Sequence, residues 1–596
     1  MSIFNSVQIP KVPRSRFNMS HYNNMSADYG RLYPFLFIDC VPNDTFKLGA
    51  DVLINTAPMI TAPYTQNDVR LDYFFVPYRL LWDNWKDFIT GGEDGTAEPT
   101  LPFINTDMWE DNVCDYSAKC LLSYFGVKCF DGTLPVTNVE PINSLPLRAY
   151  ALIWNEWYRD QNLQEEIEIY KSEDDSDLDF LQGYSDFCDD YGFLLRGWRK
   201  DYFTSALPSP QRGVEVPINF GSNFKIPVEM KSQLSNVYFK LTNDIRAKMG
   251  DDLVHPDEWA SDIDITVGSS SGVYLRINAD GEIKQVSQES TISGPVVTAD
   301  EIYDIYAPLG QWLKNLMDSA DPVTHKKDNP LYVNSQDFPA ITINDLRRAN
   351  AIQVWLERNM RAGARYVEQI LSHFGVRVPD YRLDRPEYIG GNTFPVQISQ
   401  IFQNSESTQD SSLGSYGGKG KATTSCRVRK YRVEEHGCII GLMSILPKAV
   451  YANGINHYFL QHSKFDYYFP EFANLGEQEI KAKEVAVTED MVNEQGLVTN
   501  DTFGYTPRYA HMKFISNQVN GDFLLSGMRH FTQFRSFTTE PTLSAQFIRV
   551  SPKSDGINRI WAVEDAGSYD HFWCTIFNQV HAKRPMPKYG TPKLIG

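Results

Sequence analysis

The chain is 596 residues long, with 13% aromatic residues, 33 prolines and a formal net charge of −19. Aromatics and prolines at this level suit strands joined by long irregular loops better than a bundle of helices. The charge excludes a body held to nucleic acid or anionic membranes by its overall field, and no apolar run reaches the roughly 20 residues of a membrane-spanning helix.

The size exceeds that of a usual single domain, although large β barrels with long insertions reach it, so length leaves the domain count open. The opening "MSIFNSVQIPKVPRSRF" lacks the apolar stretch of a secretory signal, which predicts a soluble protein made in the cytoplasm without membrane insertion. Eight cysteines with no CxxC pair among them read as free thiols. Lys11, Arg14 and Arg16 stand near the start without a neighbouring acid, and "HAKRPMPKYGTPKLIG" gives Lys583, Arg584, Lys588 and Lys593 near the end. Read as flexible basic arms, these seven residues are candidates for contact with phosphates that the acidic body avoids. Solvated termini kept soluble by their charge account for them equally well.

Residues 1–217 contain alternating stretches such as "DTFKLGADVLIN" and "NDVRLDYFFVPYRLLW" punctuated by prolines, the pattern of strands and loops. Leu147, Tyr150, Ile153, Trp154 and Trp157 recur at helical spacing, predicting a short helix whose aromatic face packs inward. The acidic run that follows lacks the DxDxDG order of a calcium loop, and no metal is expected there. From 218 to 340 small polar residues dominate, and two alternating segments flank Asp280-Gly281 as in a hairpin. This region reads as a surface excursion suited to recognition.

Residues 341–596 open with a long amphipathic pattern. Leu346, Ile352, Leu356, Val367, Ile370 and Phe374 fall on an apolar stripe that predicts one packed helix from 343 to 374. Glu368 and His373, five positions apart, do not converge from one helix, so a catalytic pair is not expected. "SSLGSYGGKGKATTS" departs from the phosphate-loop pattern at Ser415 and Ala422 and reads as a flexible surface loop. No zinc-protease, nucleophile-elbow or dinucleotide motif occurs in a usable context, so no cofactor is expected and nothing compels an enzyme.

Several stretches, including "FNMSHYNNMSADYGRLYPF" (17–35), "YFFVPYRLLWDNWKDFITGG" (73–92), "LPLRAYALIWNEWYRDQNL" (145–163), "EEHGCIIGLMSILP" (434–447) and "FDYYFPEFANLGEQEI" (465–480), occur together in family order. In these the chain resembles the major capsid proteins of the Microviridae, most closely their gokushovirus-like branch. The resemblance implies a mainly β fold, an eight-stranded antiparallel jelly-roll barrel with long loop insertions and a few helices. It further implies a structural virion protein that self-assembles into a T=1 icosahedral shell of sixty copies around a circular single-stranded DNA bacteriophage genome. It also implies a small basic internal DNA-binding partner and a variable insertion near 218–340 that meets a host-cell receptor. Since each chain carries −19, such a shell cannot hold DNA by net charge and needs local cations. A carbohydrate-binding or carbohydrate-cleaving β protein would share the aromatic, acidic composition, and a single-strand DNA-binding module would use the basic ends.

Overall fold

The computed structural model describes residues 13–115, 117–127, 141–172, 176–213, 343–363, 365–402, 416–492, 498, 501–562 and 569–589, together with short strands between 226 and 333. The chain divides into two compact units, one formed by residues 1–214 with 354–596 and the other by 215–353.

Two antiparallel sheets organise the first unit. The larger contains β1 (Ser15–Asn18), β2 (His21–Ala27) and β4 (Thr45–Thr56) from the start of the chain. Its other strands are β7 (Gln397–Phe402), β8 (Tyr416–Arg427) and β10 (Phe572–Arg584). Their order is β1-β10-β4-β8-β7, with β2 continuing along β10 after β1 and a two-residue strand, Tyr431–Arg432, pairing with β4. The smaller sheet runs β6-β5-β9-β3, where β3 is Tyr33–Cys40, β5 Asn67–Pro77, β6 Glu387–Pro395 and β9 Gly437–Pro447.

Patterning explains these placements. Every residue of "GCIIGLMSILP" in β9 is buried, as suits a central strand covered on both faces. In β10, by contrast, "FWCTIFNQVHAKR" alternates buried with more accessible positions, so one face meets the core and the other solvent. One apolar cluster includes Phe46, Val52, Ile54, Ile576 and Val580 from the larger sheet and Leu36, Phe74, Ile440 and Met443 from the smaller.

Helix α1 (Leu145–Ile153) runs into a π-helical turn, Trp154–Tyr158. Tyr150, Ile153 and Trp154 are buried, as the aromatic spacing predicts. Arg148, fully buried on α1, donates two hydrogen bonds to the buried Asp177 carboxylate at 2.7 and 2.8 Å and a third to the Leu81 carbonyl. Such an ion pair needs this complete set of partners to stand out of water.

The segment read as one helix is two, α2 (Ile343–Ala362) and α3 (Tyr366–Phe374). Gly363 has φ +106°, and Arg365 restarts the helix with its backbone N–H shared between the Glu368 and Gln161 side chains. Leu356, Val367 and Ile370 are half-buried, whereas Leu346, Ile352 and Phe374 are exposed, correcting the picture of a single packed stripe. His373 lies 2.6 Å from Asn359 and does not meet Glu368, which caps α3.

"GGKGKATTS" is likewise strand rather than loop. It lies in β8, whose first half (Tyr416–Lys421) pairs with β7 and whose second half (Lys421–Arg427) pairs with β4. Pairing with β7 overrides the weak strand preference of these glycines, and Gly418 is needed because a Cβ there would stand 2.3 Å from the Thr61 carbonyl oxygen.

In the second unit, Ile283–Val286, Tyr274–Ile277, Ile265–Gly268 and Val296–Thr298 form a sheet in that order. Tyr274 pairs with Val286 and Ile277 with Ile283 across the expected hairpin. Asp280 and Gly281 themselves lie outside the described residues.

Candidate nucleic-acid interface

The solvent face of the larger sheet differs in charge from the chain as a whole. Directly opposite residues in a ladder point to the same face, and the register places Arg16 opposite Lys583, Lys421 opposite Asn55 and Arg427 opposite Gly49. Among the described residues, the outward positions of these strands present Arg16, Lys47, Lys419, Lys421, Arg427 and Lys583, all exposed. One acid, Asp51, shares that face. It accepts hydrogen bonds from Ser425 Oγ (2.5 Å), Arg427 Nη2 (2.8 Å) and Gln579 Nε2 (2.5 Å). The Ser425 bond first, and Arg427 after it, hold its carboxyl below the usual carboxylate range. An excess of cations therefore remains on one face of an acidic protein.

Aromatic rings lie on the same face. Tyr22 stands opposite Phe577, with ring centroids 4.7 Å apart, and Ser26 stands opposite Trp573. Tyr22 is 71% exposed and Trp573 51%. Exposed rings beside cations on one sheet face can stack unpaired bases while the cations meet the phosphates.

A family model described as capsid protein (F protein) matches residues 5–594. The chain belongs to this capsid protein family. It is 32% identical to the capsid protein VP1 of Chlamydia phage 1, over 99% of this chain and 97% of that protein. The VP1 capsid proteins of Bdellovibrio phage phiMH2K and Spiroplasma virus 4 are 28% and 26% identical, covering 99% and 98% of this chain and 97% and 96% of theirs. The sequence resemblance to gokushovirus capsid proteins holds, and the chain is a structural capsid protein of the virion, not an enzyme. No helix among the described residues is long and apolar enough to cross a membrane.

The residues singled out from the two ends of this capsid chain have different surroundings. Arg16 and Lys583 share the exposed face, and Lys588 is exposed beyond β10 with its Nζ 5.6 Å from the Tyr589 ring centroid. Arg14 instead donates to the Asn43 carbonyl (2.5 Å) and Thr45 Oγ1 (2.8 Å). Arg584 pairs with the buried Asp44 carboxylate at 3.0 Å and donates to the Asp39 carbonyl. Those two guanidinium groups fasten the chain ends to β4 and β3. Lys11 and Lys593 lie outside the described residues. The ends are thus strand-paired over 15–18 and up to Arg584, where flexible arms were expected, because the alternation through Val580 and Ala582 fits the sheet.

Sequence reasoning missed Lys47, Lys419, Lys421, Arg427, Tyr22 and Trp573. Their signal is the period of two in each strand, but only the long-range pairing shows that these periods share a face.

Proposed function

We propose that sixty copies of this capsid protein assemble into a T=1 icosahedral shell around a circular single-stranded DNA genome, with the cationic, aromatic sheet face turned to the lumen. The exposed excess of cations on a chain of net charge −19 is the observation that carries this reading. Local cations neutralise phosphates where the body would repel them. The sheet orders β2-β10-β4-β8 and β6-β5-β9-β3 support reading the eight longer strands as a jelly roll, whose two four-stranded sheets arise from paired Greek keys.

A small basic internal protein supplies the neutralisation that one face per copy leaves incomplete. Residues 218–340 are the surface insertion that meets the host receptor, and the chain is made in the host bacterial cytoplasm before entering the virion. Arg16, Lys583 and Lys588 are the contacts retained from the ends.

The test is binding of a single-stranded oligonucleotide to the isolated chain over a range of salt. Affinity should fall steeply with salt, and the triple substitution Lys47→Gln, Lys421→Gln, Lys583→Gln should flatten the dependence. Equal binding and equal salt dependence in the triple variant would remove the genome face from the account.

A further inference from the structure

We infer that the aromatic loop from His457 to Leu475, with the neighbouring segment Met512–Ile515, is a contact surface for a second copy of this chain. The inference rests on the capsid reading and adds which surface joins the copies.

The loop is ordered, yet it turns its rings outward. It consists of three short turns, His457–Leu460, Lys464–Asp466 and Pro470–Phe472, none with a buried residue. Ser463 Oγ accepts a hydrogen bond from the Phe465 N–H, and the Asp466 carboxylate accepts from the Ser463 (2.7 Å) and His462 (2.9 Å) N–H groups. Those backbone donors, Ser463 foremost, hold the Asp466 carboxyl below its ordinary range. A loop fixed in this way presents its side chains with little entropy left to lose on binding.

Those side chains are large and apolar. Tyr458, Phe459, Phe465, Tyr467, Tyr468 and Phe469 are all exposed, Phe459 to 69%, and Phe514 and Ile515 add exposures of 63% and 92%. Ring contacts gather these side chains into local groups. Tyr458 lies against Phe459 (4.7 Å), Tyr468 against Tyr509 (5.0 Å), and Phe472 against both Phe465 and Phe469. A cleft of about 460 Å³, lined by His457, Tyr458, His511, Phe514 and Ile515 among others, opens beside them.

Seven half-exposed rings, each able to bury about 150–250 Å², offer on the order of 700 Å². That exceeds the roughly 300–600 Å² of the largest patch on a typical monomer and approaches the about 800 Å² that each partner contributes to a standard interface. The area matches what a stable association of copies needs. Charge favours the same occupant, because copies of net charge −19 repel one another, whereas over 457–475 and 512–515 the full charges, Lys464 and Lys513 against Asp466 and Glu471, cancel. An aromatic surface without net charge is where such copies can approach.

The experiment compares the wild-type chain with the double variant Phe459→Ser, Phe514→Ser, each mixed with circular single-stranded DNA, by sedimentation and negative-stain microscopy. Both residues are exposed, so the variant protomer should keep its circular dichroism and melting temperature while particle yield falls at least tenfold. Wild-type yield from the folded variant overturns the inference and leaves the capsid reading standing. A wild-type chain that forms no particles overturns that reading and the inference with it. Hydroxyl-radical labelling of wild-type particles provides a measurement without substitution: Tyr467 and Phe514 should be protected several-fold relative to protomers, and equal labelling in both states contradicts the assignment.

Discussion

Arg16 and Lys583 stand directly opposite one another across the β1–β10 pair, with both side chains exposed on the same face of the sheet. Like charges in this arrangement destabilise a ladder by about 0.2–1 kcal/mol, and an anion laid across them would relieve it. Lys583→Gln should therefore raise the melting temperature of the free protomer slightly while weakening its hold on single-stranded DNA. The slope of log affinity against log salt should shrink by about 0.7 for the lost phosphate contact. Calorimetry and a salt titration of oligonucleotide binding check the two halves, and a variant that loses stability without losing affinity would contradict the placement.

Trp573 is half-exposed beside Ser26 on the same face. Trp573→Ala should leave the protomer folded and weaken binding of single-stranded oligonucleotides roughly 5- to 150-fold, the range expected for losing one base-stacking platform. Its salt dependence should stay unchanged, since no charge is removed. Fluorescence anisotropy at several salt concentrations separates this effect from that of Lys583.

The fully buried Arg148–Asp177 pair makes a different prediction. Arg148→Met strands a buried carboxylate and should cost about 3–5 kcal/mol, whereas replacing both partners with apolar residues should restore much of the loss. Soluble yield and thermal melting of Arg148→Met and of Arg148→Met with Asp177→Leu give the comparison.

Acid should loosen the first unit through His511. Burial first, and the neighbouring His457 second, push its imidazole down from 6.5 to about 4, with Glu484 opposing them weakly. The two imidazole rings stack 4.0 Å apart, and His457 Nδ1 lies 3.1 Å from Glu484. The unfolded chain takes up a proton near 6.5 and the folded chain only near 4, so acidification between these values favours unfolding. Melting temperature should fall across that window in the wild type and fall less in His511→Asn.

Much of the fold is legible in the alternation of β4, β5 and β10 and in the aromatic spacing of α1, because these patterns report local burial. The break at Gly363 is not, since an apolar stripe continues through it and only the backbone conformation ends the helix. The strand nature of "GGKGKATTS" is hidden for the opposite reason: pairing first with β7 and then with β4 imposes it against the preference of its own residues. For the site, Arg16 and Lys583 stand out as basic residues near the two ends, but nothing local shows that Arg14 and Arg584 bind their own chain. Nor does any local pattern bring Lys47, Lys421 and Trp573, hundreds of residues apart, onto one surface. The family resemblance identifies the protein class from sequence, while the shared cationic face emerges only from the pairing of distant strands.

Shell formation is read most directly from the mass and form of the assembly that this chain makes with circular single-stranded DNA, by sedimentation and negative-stain microscopy. Uniform closed shells are expected, with the protein mass of sixty chains of 68.1 kDa and the DNA protected from nuclease. Chains that remain separate, or that coat DNA without closing around it, at every protein and salt concentration tried would contradict the sixty-copy shell.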